Sequence, residues 1–477
     1  MEAINCKGVS FTYPDSSEFS VKDISFTIND GEFCLVTGES AAGKSTLLKL
    51  LKREIAPAGD LSGELSVNAE VGYVSQNVAE SIVCDRVRSE LSFGLTNRGM
   101  KGESVELLTA EIASYFNLDS KLDSEINELS GGEKQLVNLA SVMVMKPRIL
   151  VLDEPCSQLD PVACERFISM VKRLHRDFRI TVIMSEHSTD MLFEYADKIL
   201  LLDSGRQLSF DTPHNTFLYL KSNDHPMLKA APLRLRIENP DSIKLLQLQS
   251  ESPSSAVLTA KNICFAYEKG NDILKGVSFS AHEGKINAIV GANASGKTTL
   301  LKVIAGVRKQ YRGSVKCKKR ISMLTQNVYD LFTKETCADE VTFGETTDYL
   351  GIDCIKDRHP YDISGGQAQR LALAKVLEKG ADVILLDEPT QGLDALLKNK
   401  LAALLKSLTA KGKTVILVTH DLDFAGECAD YVSYLSGGKI IASMPYNEFF
   451  RSLSFYTTSV SRLTMGRAAA LRDIADE

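Results

Sequence analysis

Apolar and polar residues alternate in four short stretches, GVSFTY and ISFTI near the N-terminus and NICFAY and VSFSA in the second half of the chain. A period of two predicts half-buried β-strands. Each pair leads into an apolar run, CLVTG or NAIVG, which closes on a glycine-rich loop followed by the helical pattern TLLK. Further on come RILVLDE and DVILLDE, then TVIMSEH and TVILVTH, continuous apolar runs bounded by polar residues. These read as strands buried on both faces. Their alternation with helical segments predicts a parallel α/β core covered by helices on both sides.

The whole pattern occurs twice. Gly38 and Gly291 open equivalent loops at an offset of 253 residues, and Gly131 and Gly365 open equivalent later motifs at an offset of 234. The second copy is therefore shorter in its middle. Repeats of this length are duplicated domains, since solenoid units are far shorter. The expected organisation is a first domain over 1–225, a linker over 226–255 and a second domain over 256–477. The linker holds four prolines and no heptad pattern. The tail RAAALRDIADE reads either as a helix packed on the second domain or as an unstructured end.

Composition narrows the class. The 477 residues are 44% hydrophobic and 25% charged, ordinary values for a globular protein. A net charge of −7 advertises no general surface for nucleic acid, so none is expected as partner. No apolar run is long enough to span a bilayer, and the N-terminus lacks the basic and apolar regions of a secretory signal. Ten cysteines are scattered without a CxxC pair. Those in strand-like runs, such as Cys34 and Cys317, are expected to be small hydrophobes in a reducing compartment.

The chemistry lies in the repeated motifs. Gly38-ESAA-Gly43-Lys44-Ser45-Thr46 and Gly291-ANAS-Gly296-Lys297-Thr298-Thr299 match the phosphate loop GxxxxGK[ST]. Glycines let backbone N–H groups wrap phosphate oxygens, and the helix that follows adds its partial positive charge. Lys44 and Lys297 would reach the β and γ phosphates of ATP, while Ser45 and Thr298 would hold Mg²⁺. The runs ending in Asp153-Glu154 and Asp387-Glu388 place two carboxylates at the C-terminal edge of a strand, where α/β sheets bind ligands. Asp153 and Asp387 suit Mg²⁺, and Glu154 and Glu388 suit polarisation of an attacking water. Ala41 and Ala294 stand where glycine is common in such loops, which raises the cost of a positive φ.

Leu129-Ser130-Gly131-Gly132-Glu133 and Ile363-Ser364-Gly365-Gly366-Gln367 resemble the LSGGQ signature of ATP-binding-cassette (ABC) proteins. The resemblance spans nearly the whole chain. It implies an α/β fold of two P-loop NTPase domains, each with a mainly parallel core, an antiparallel β subdomain and a helical signature subdomain. It also implies ATP hydrolysis at two composite sites formed by cassettes that pair within the chain. One would join Lys44, Asp153, Glu154 and His187 to Ser364, Gly365, Gly366 and Gln367. The other would join Lys297, Asp387, Glu388 and His420 to Ser130, Gly131 and Gly132. Further matches to the family are Gln76 and Gln326, which sense Mg²⁺ and link to a transmembrane partner. His187 and His420 match the residue that contacts the γ-phosphate. Tyr13 and Tyr267 match the aromatic that stacks on adenine, and Asp160 and Asp394 the loop that communicates between sites. Glu133 departs from the signature glutamine, and Leu136 stands where the twin has Arg370. A carboxylate near a triphosphate is repulsive, so modest asymmetry of the sites is expected.

QNVAESIVCDRVRSELSFG and QNVYDLFTKETCADEVTFG look like the QNP…TV.DEVAFG pattern of energy-coupling-factor importers, with Val78 and Val328 in place of proline. That resemblance implies a peripheral subunit at the cytoplasmic face of the membrane. Its partners would be a transmembrane coupling protein and a small substrate-binding membrane subunit, with vitamins, metal ions or related micronutrients as cargo. Acidic positions there (Glu80, Asp85, Glu90, Asp339, Glu340, Glu345) could receive arginines from such a partner. Two other readings are open. Soluble twin-cassette proteins acting on ribosomes carry a longer, charged helical linker, and fused sugar-importer ATPases are often unequal in catalytic competence.

Overall fold

The computed structural model describes every residue except 15, 17, 187–188, 238–239, 241–242, 247–254, 269, 455 and 476–477, and leaves out the side chains of 79 and 80. It divides into two units, Met1–Pro232 and Leu233–Glu477.

In the first unit the predicted alternation builds an antiparallel layer. β1 (Glu2–Thr12) pairs with β2 (Val21–Asn29) on one side and, across the chain, with β4 (Asp60–Val67) on the other. Ile4 and Cys6 point inward; then the phase slips by one residue and Val9 and Phe11 do. The slip is a register shift between Cys6 and Val9 that spans Gly8, whose φ of 57° suits a residue without Cβ. β10 (Ala256–Ala266) of the second unit repeats the device: Leu258 and Ala260 are buried, then Ile263 and Phe265.

The parallel core comes from the continuous apolar runs. β3 (Phe33–Gly38), β6 (Ile149–Asp153) and β7 (Thr181–Ser185) are buried at every residue. With β5 (Val71–Val74), β8 (Lys198–Asp203) and β9 (Arg206–Asp211) they complete a nine-stranded sheet in the order β4-β1-β2-β9-β8-β3-β7-β6-β5. Each fully buried Leu, Ile, Val or Phe side chain contributes about 1.5–3 kcal/mol, so the sheet centre is a firm base for the loops at its edge.

The second unit uses the same parts in two sheets. β11 (Asp272–His282), β10 and β13 (Arg312–Cys317) form a three-stranded antiparallel sheet with β10 in the middle. β12 (Ile286–Val290), β14 (Ile321–Leu324), β15 (Val383–Asp387), β16 (Thr414–Thr419), β17 (Tyr431–Ser436) and β18 (Lys439–Pro445) form a six-stranded sheet in the order β14-β15-β16-β12-β17-β18. Among the described residues no helix is long and apolar enough to cross a membrane, and none of the ten cysteines is in a disulfide.

The described residues of 226–246 are folded onto their own units. Met227 packs with Leu201 and Leu220, and the Thr189 hydroxyl donates to the Ala230 carbonyl at 2.6 Å. From Leu233 onwards the chain belongs to the second unit, where Leu233 meets Val460 and Ala468. Leu245 bridges antiparallel to Ile474, the Leu246 N–H donates to the Asp473 carbonyl at 2.8 Å, and Ala475 N–H to Lys244 at 2.9 Å. The C-terminal tail is thus packed as short turns rather than as one long helix. Asp473 anchors it, fully buried, accepting from the Tyr446 hydroxyl at 2.6 Å and the Ala469 N–H at 2.7 Å.

Candidate functional site

Each unit places its glycine loop between a buried strand and a helix. In the first, β3 ends at Gly38 and the helix Lys44–Leu50 begins after Gly43. A Cβ at Gly38 would lie 2.2 Å from the Leu202 carbonyl oxygen, and one at Gly291 would lie 2.2 Å from that of Leu435. Only glycine fits at either position. Ala41 and Ala294 do adopt positive φ, 65° and 61°, so the loop bends as it would with glycine at a cost in strain. The lysines curl back over their loops: Lys44 Nζ donates to Gly38 and Glu39 carbonyls at 3.0 Å each, and Lys297 Nζ to Gly291 at 2.8 Å and Ala292 at 3.0 Å. Each ammonium thus sits where the loop would wrap a phosphate.

The hydroxyl and carboxylate predicted to share a cation meet in both units. Ser45 Oγ donates to Asp153 Oδ1 at 3.0 Å, and Thr298 Oγ1 to Asp387 Oδ1 at 3.0 Å. Their surroundings differ. Asp153 also accepts from Ser185 Oγ at 2.9 Å and from the Tyr73 hydroxyl at 3.0 Å. At the matching strand positions the second unit has Val418 and Met323, which offer nothing. Asp387 Oδ2 is therefore buried without a partner. Burial raises both carboxyls, helped by the adjacent glutamate, and Asp387 reaches about 6. An orphaned, buried carboxylate oxygen beside a threonine hydroxyl fits a hard divalent cation such as Mg²⁺, which favours oxygen donors. Tyr73 and Ser185 were absent from the sequence expectations, although each lies a few residues from a predicted site residue.

Glu154 and Glu388 sit one residue beyond these strands at positive φ, 43° and 51°, a strained placement typical of functional positions. Their contacts differ too. Glu154 accepts from Gln76 Nε2 at 3.0 Å and lies 3.7 Å from Lys44 Nζ. Glu388 lies 2.9 Å from His420 Nδ1 and also accepts from the His420 N–H at 3.2 Å. Burial alone would lower the His420 imidazole, but the Glu388 carboxylate outweighs this and raises it. His187 lies outside the described residues. Gln326 is exposed and is not brought to Glu388.

The signature residues are helix caps. Ser130 starts the helix Gly131–Met143 and Ser364 the helix Gly365–Glu378, each in a capping box with the residue three positions on. Glu133 accepts from the Ser130 N–H at 2.9 Å and from its hydroxyl at 2.8 Å, and pairs with Lys121 at 3.4 Å. The Ser130 N–H, opposed by burial but reinforced by Lys121, holds the Glu133 carboxyl below its ordinary range. Gln367 accepts only from the Ser364 N–H, at 3.0 Å, leaving the Ser364 hydroxyl proton uncommitted to it. Asp160 and Asp394 likewise cap helices, accepting from Ala163 and Leu397 N–H at 2.9 Å each. Tyr13 and Tyr267 stand beside the loops, half-exposed, with hydroxyls 3.1 Å from Thr46 Oγ1 and 3.5 Å from Thr299 Oγ1.

The acidic positions after the glutamines need correction. Glu90 and Glu340 do not face a partner: both are buried. Glu90 accepts from Val83 N–H at 3.0 Å and Cys84 N–H at 2.8 Å. Glu340 accepts from Thr333 N–H and from Lys334 N–H at 2.5 Å, and pairs with Lys375. Each carboxylate fastens the loop that follows the glutamine. Asp85, Asp339 and Glu345 remain exposed.

Known proteins agree with the motifs. The family model described as ABC transporter matches residues 21–157 and 274–391, one match over each phosphate loop. A Bacillus anthracis protein named as an ABC transporter ATP-binding protein is 33% identical over 518 residues, covering 96% of this chain and 94% of its own. A Clostridium tetani protein of the same description is 32% identical over 419 residues, covering 78% and 95%. Among solved structures, the archaeal ribosome recycling factor aABCE1, crystallised with the ribosomal stalk protein aP1, aligns with a TM-score of 0.64 at 21% identity. That alignment covers 94% of this chain and 91% of aABCE1, a likeness of fold alone. With a complete phosphate loop, carboxylate pair and capped signature in each unit, the chain belongs to the ABC transporter ATPase family, with two cassettes in one polypeptide.

Proposed function

We propose that this ATPase is the energy-coupling subunit of a membrane importer of the energy-coupling-factor type, serving vitamins, metal ions or related micronutrients from the cytoplasmic face. ATP is the family's substrate and Mg²⁺ its cofactor. Lys44 and Lys297 neutralise β and γ phosphate oxygens, and the loop N–H groups cradle them. Ser45 with Asp153, and Thr298 with Asp387, would hold Mg²⁺, which would supply positive charge at the phosphates. Glu154 and Glu388 polarise the attacking water, and His420 holds Glu388 in place. Tyr13 and Tyr267 offer ring faces to adenine.

The observation that carries the importer reading is the Gln76 contact. Its carboxamide reaches Glu154 at 3.0 Å, while its loop lines a cavity of about 500 Å³ together with Ile82, Ile126 and Gln135. A membrane partner seated there bears directly on the water-polarising carboxylate. The relatives' names as transporter ATP-binding proteins and the QN segments support the same reading. The test is affinity capture of the tagged chain from gently solubilised membranes. Recovery with a multi-span protein and a small integral subunit is expected. Recovery with ribosomes from the soluble fraction overturns the importer and leaves the ATPase intact.

A further inference from the structure

The chain is acidic overall, yet residues 308–320 hold seven lysines and arginines and no aspartate or glutamate. The corresponding stretch of the first unit, 52–71, holds two basic and four acidic residues. The basic stretch forms β13, an edge strand, and the turns on either side of it. Val315 and Cys317 face the core, which turns Arg312, Ser314 and Lys316 to solvent, all exposed. The cross-strand register continues that face: Ser314 opposes Lys261, Lys316 opposes Thr259, and Thr259 opposes Ser280. The outer face of the sheet is therefore a level array of cations and hydroxyls. Among the described residues Arg312, Lys316 and Lys318 have no ion-pair partner, while Lys319 pairs with Glu283 at 3.5 Å.

Cations with hydroxyls suit phosphate oxygens. Single-stranded nucleic acid is held by successive aromatic platforms as well as charge, and the exposed ring bordering this face, Tyr311, is a single platform whose hydroxyl donates to Asp272 at 2.7 Å. Val307 and Tyr311 stand at its edge, 64% and 61% exposed, among Arg308, Lys309 and Arg312. A tyrosine ring, its hydroxyl held by Asp272, and an aliphatic side chain beside basic residues are suited to the level of lipid headgroups.

We infer that the outer face of the β11-β10-β13 sheet, with residues 307–320, docks on an anionic phospholipid headgroup layer. It gives the chain a salt-sensitive hold on the membrane independent of any protein partner. The importer reading supplies only the setting in which this hold is useful, because vesicles without protein test the surface by itself. Full-length chain is sedimented with phosphatidylcholine vesicles, with and without phosphatidylglycerol, at low and high salt. The wild type binds only the phosphatidylglycerol vesicles and is released by salt. A combined R312Q, K316Q and K318Q variant binds them about a hundredfold more weakly, with ATP turnover unchanged. Equal binding by the two proteins, equal binding to neutral vesicles, or wild-type binding that salt does not weaken overturns the inference. So does retention of RNA by the wild type without vesicle binding, which reassigns the surface. Failure here leaves membrane capture through a protein partner untouched.

Discussion

Removing the Glu340 carboxylate isolates one buried fastening. Its side chain takes the N–H groups of Thr333 and Lys334 and the ammonium of Lys375, which also donates to the Leu331 carbonyl at 2.8 Å. Glu340→Ala leaves two amides and a partly buried cation without their acceptor. Breaking such a pair from one side costs about 3 kcal/mol, the low end of the range because Lys375 keeps some contact with water. For a unit of this size that is a fall in Tm of roughly 6–12 °C. Calorimetry of the full chain, with the transition of the second unit assigned by its loss of ATP-dependent stabilisation in Lys297→Ala, reads the shift. The double variant Glu340→Gln with Lys375→Met recovers part of the loss, since neither charge is then stranded. The pH dependence has a defined sign. Burial would raise the Glu340 carboxyl, but Lys375 and the two amides outweigh it and hold it below its ordinary range. Its stabilisation is therefore full above the unfolded value, about 4.3, and is lost as pH falls through the lower folded value. A Glu340→Ala protein that melts within about 2 °C of wild type at neutral pH refutes the role assigned to this carboxylate.

Other outcomes follow from the site. Glu154→Gln and Glu388→Gln each keep ATP binding and lose hydrolysis by at least about 100-fold at the altered site, read by single-turnover assay and nucleotide titration. Gly38→Ala forces a Cβ against the Leu202 carbonyl, so the first unit loses several kcal/mol, seen as early melting or failure to accumulate. Glu133→Gln frees the Ser130 hydroxyl and removes a negative charge from a helix start, and raises turnover about fivefold, as a 1 kcal/mol gain requires. Unchanged turnover would mean that the Ser130 proton was never limiting.

Much of this was legible in the residues. The phosphate loops, the carboxylate pairs and the capped serines are local: a handful of consecutive residues sets the strand end, the turn and the helix start. The hydroxyl-to-aspartate contacts, 108 and 89 residues apart in sequence, followed because each motif fixes its own place at the same sheet edge. The difference between the sites was not legible. It depends on which side chains neighbouring strands bring alongside, Tyr73 and Ser185 in one unit and Met323 and Val418 in the other, and alternation reports the face of a strand rather than its neighbour. Glu90 and Glu340 were misread for a related reason. A glutamate on a helical pattern looks solvated, and its true partners are backbone amides of a loop that no periodicity marks. The Gln326 position also escaped prediction, because its sequence neighbourhood matches that of Gln76 while its side chain does not reach the glutamate.

The residues that hold 244–246 in place lie far along the chain, at 473–475. Leu246 is made more than two hundred residues before Asp473 and Ile474, so at about 10 residues per second it waits some 20 s for its strand partner. Throughout that time the backbone of 244–246 lacks the strand partners it has in the folded unit and stays open to water, to chaperones and to proteases. A polypeptide that stops before Asp473 carries both glycine loops and both carboxylate pairs but leaves the 244–246 backbone without its strand partner.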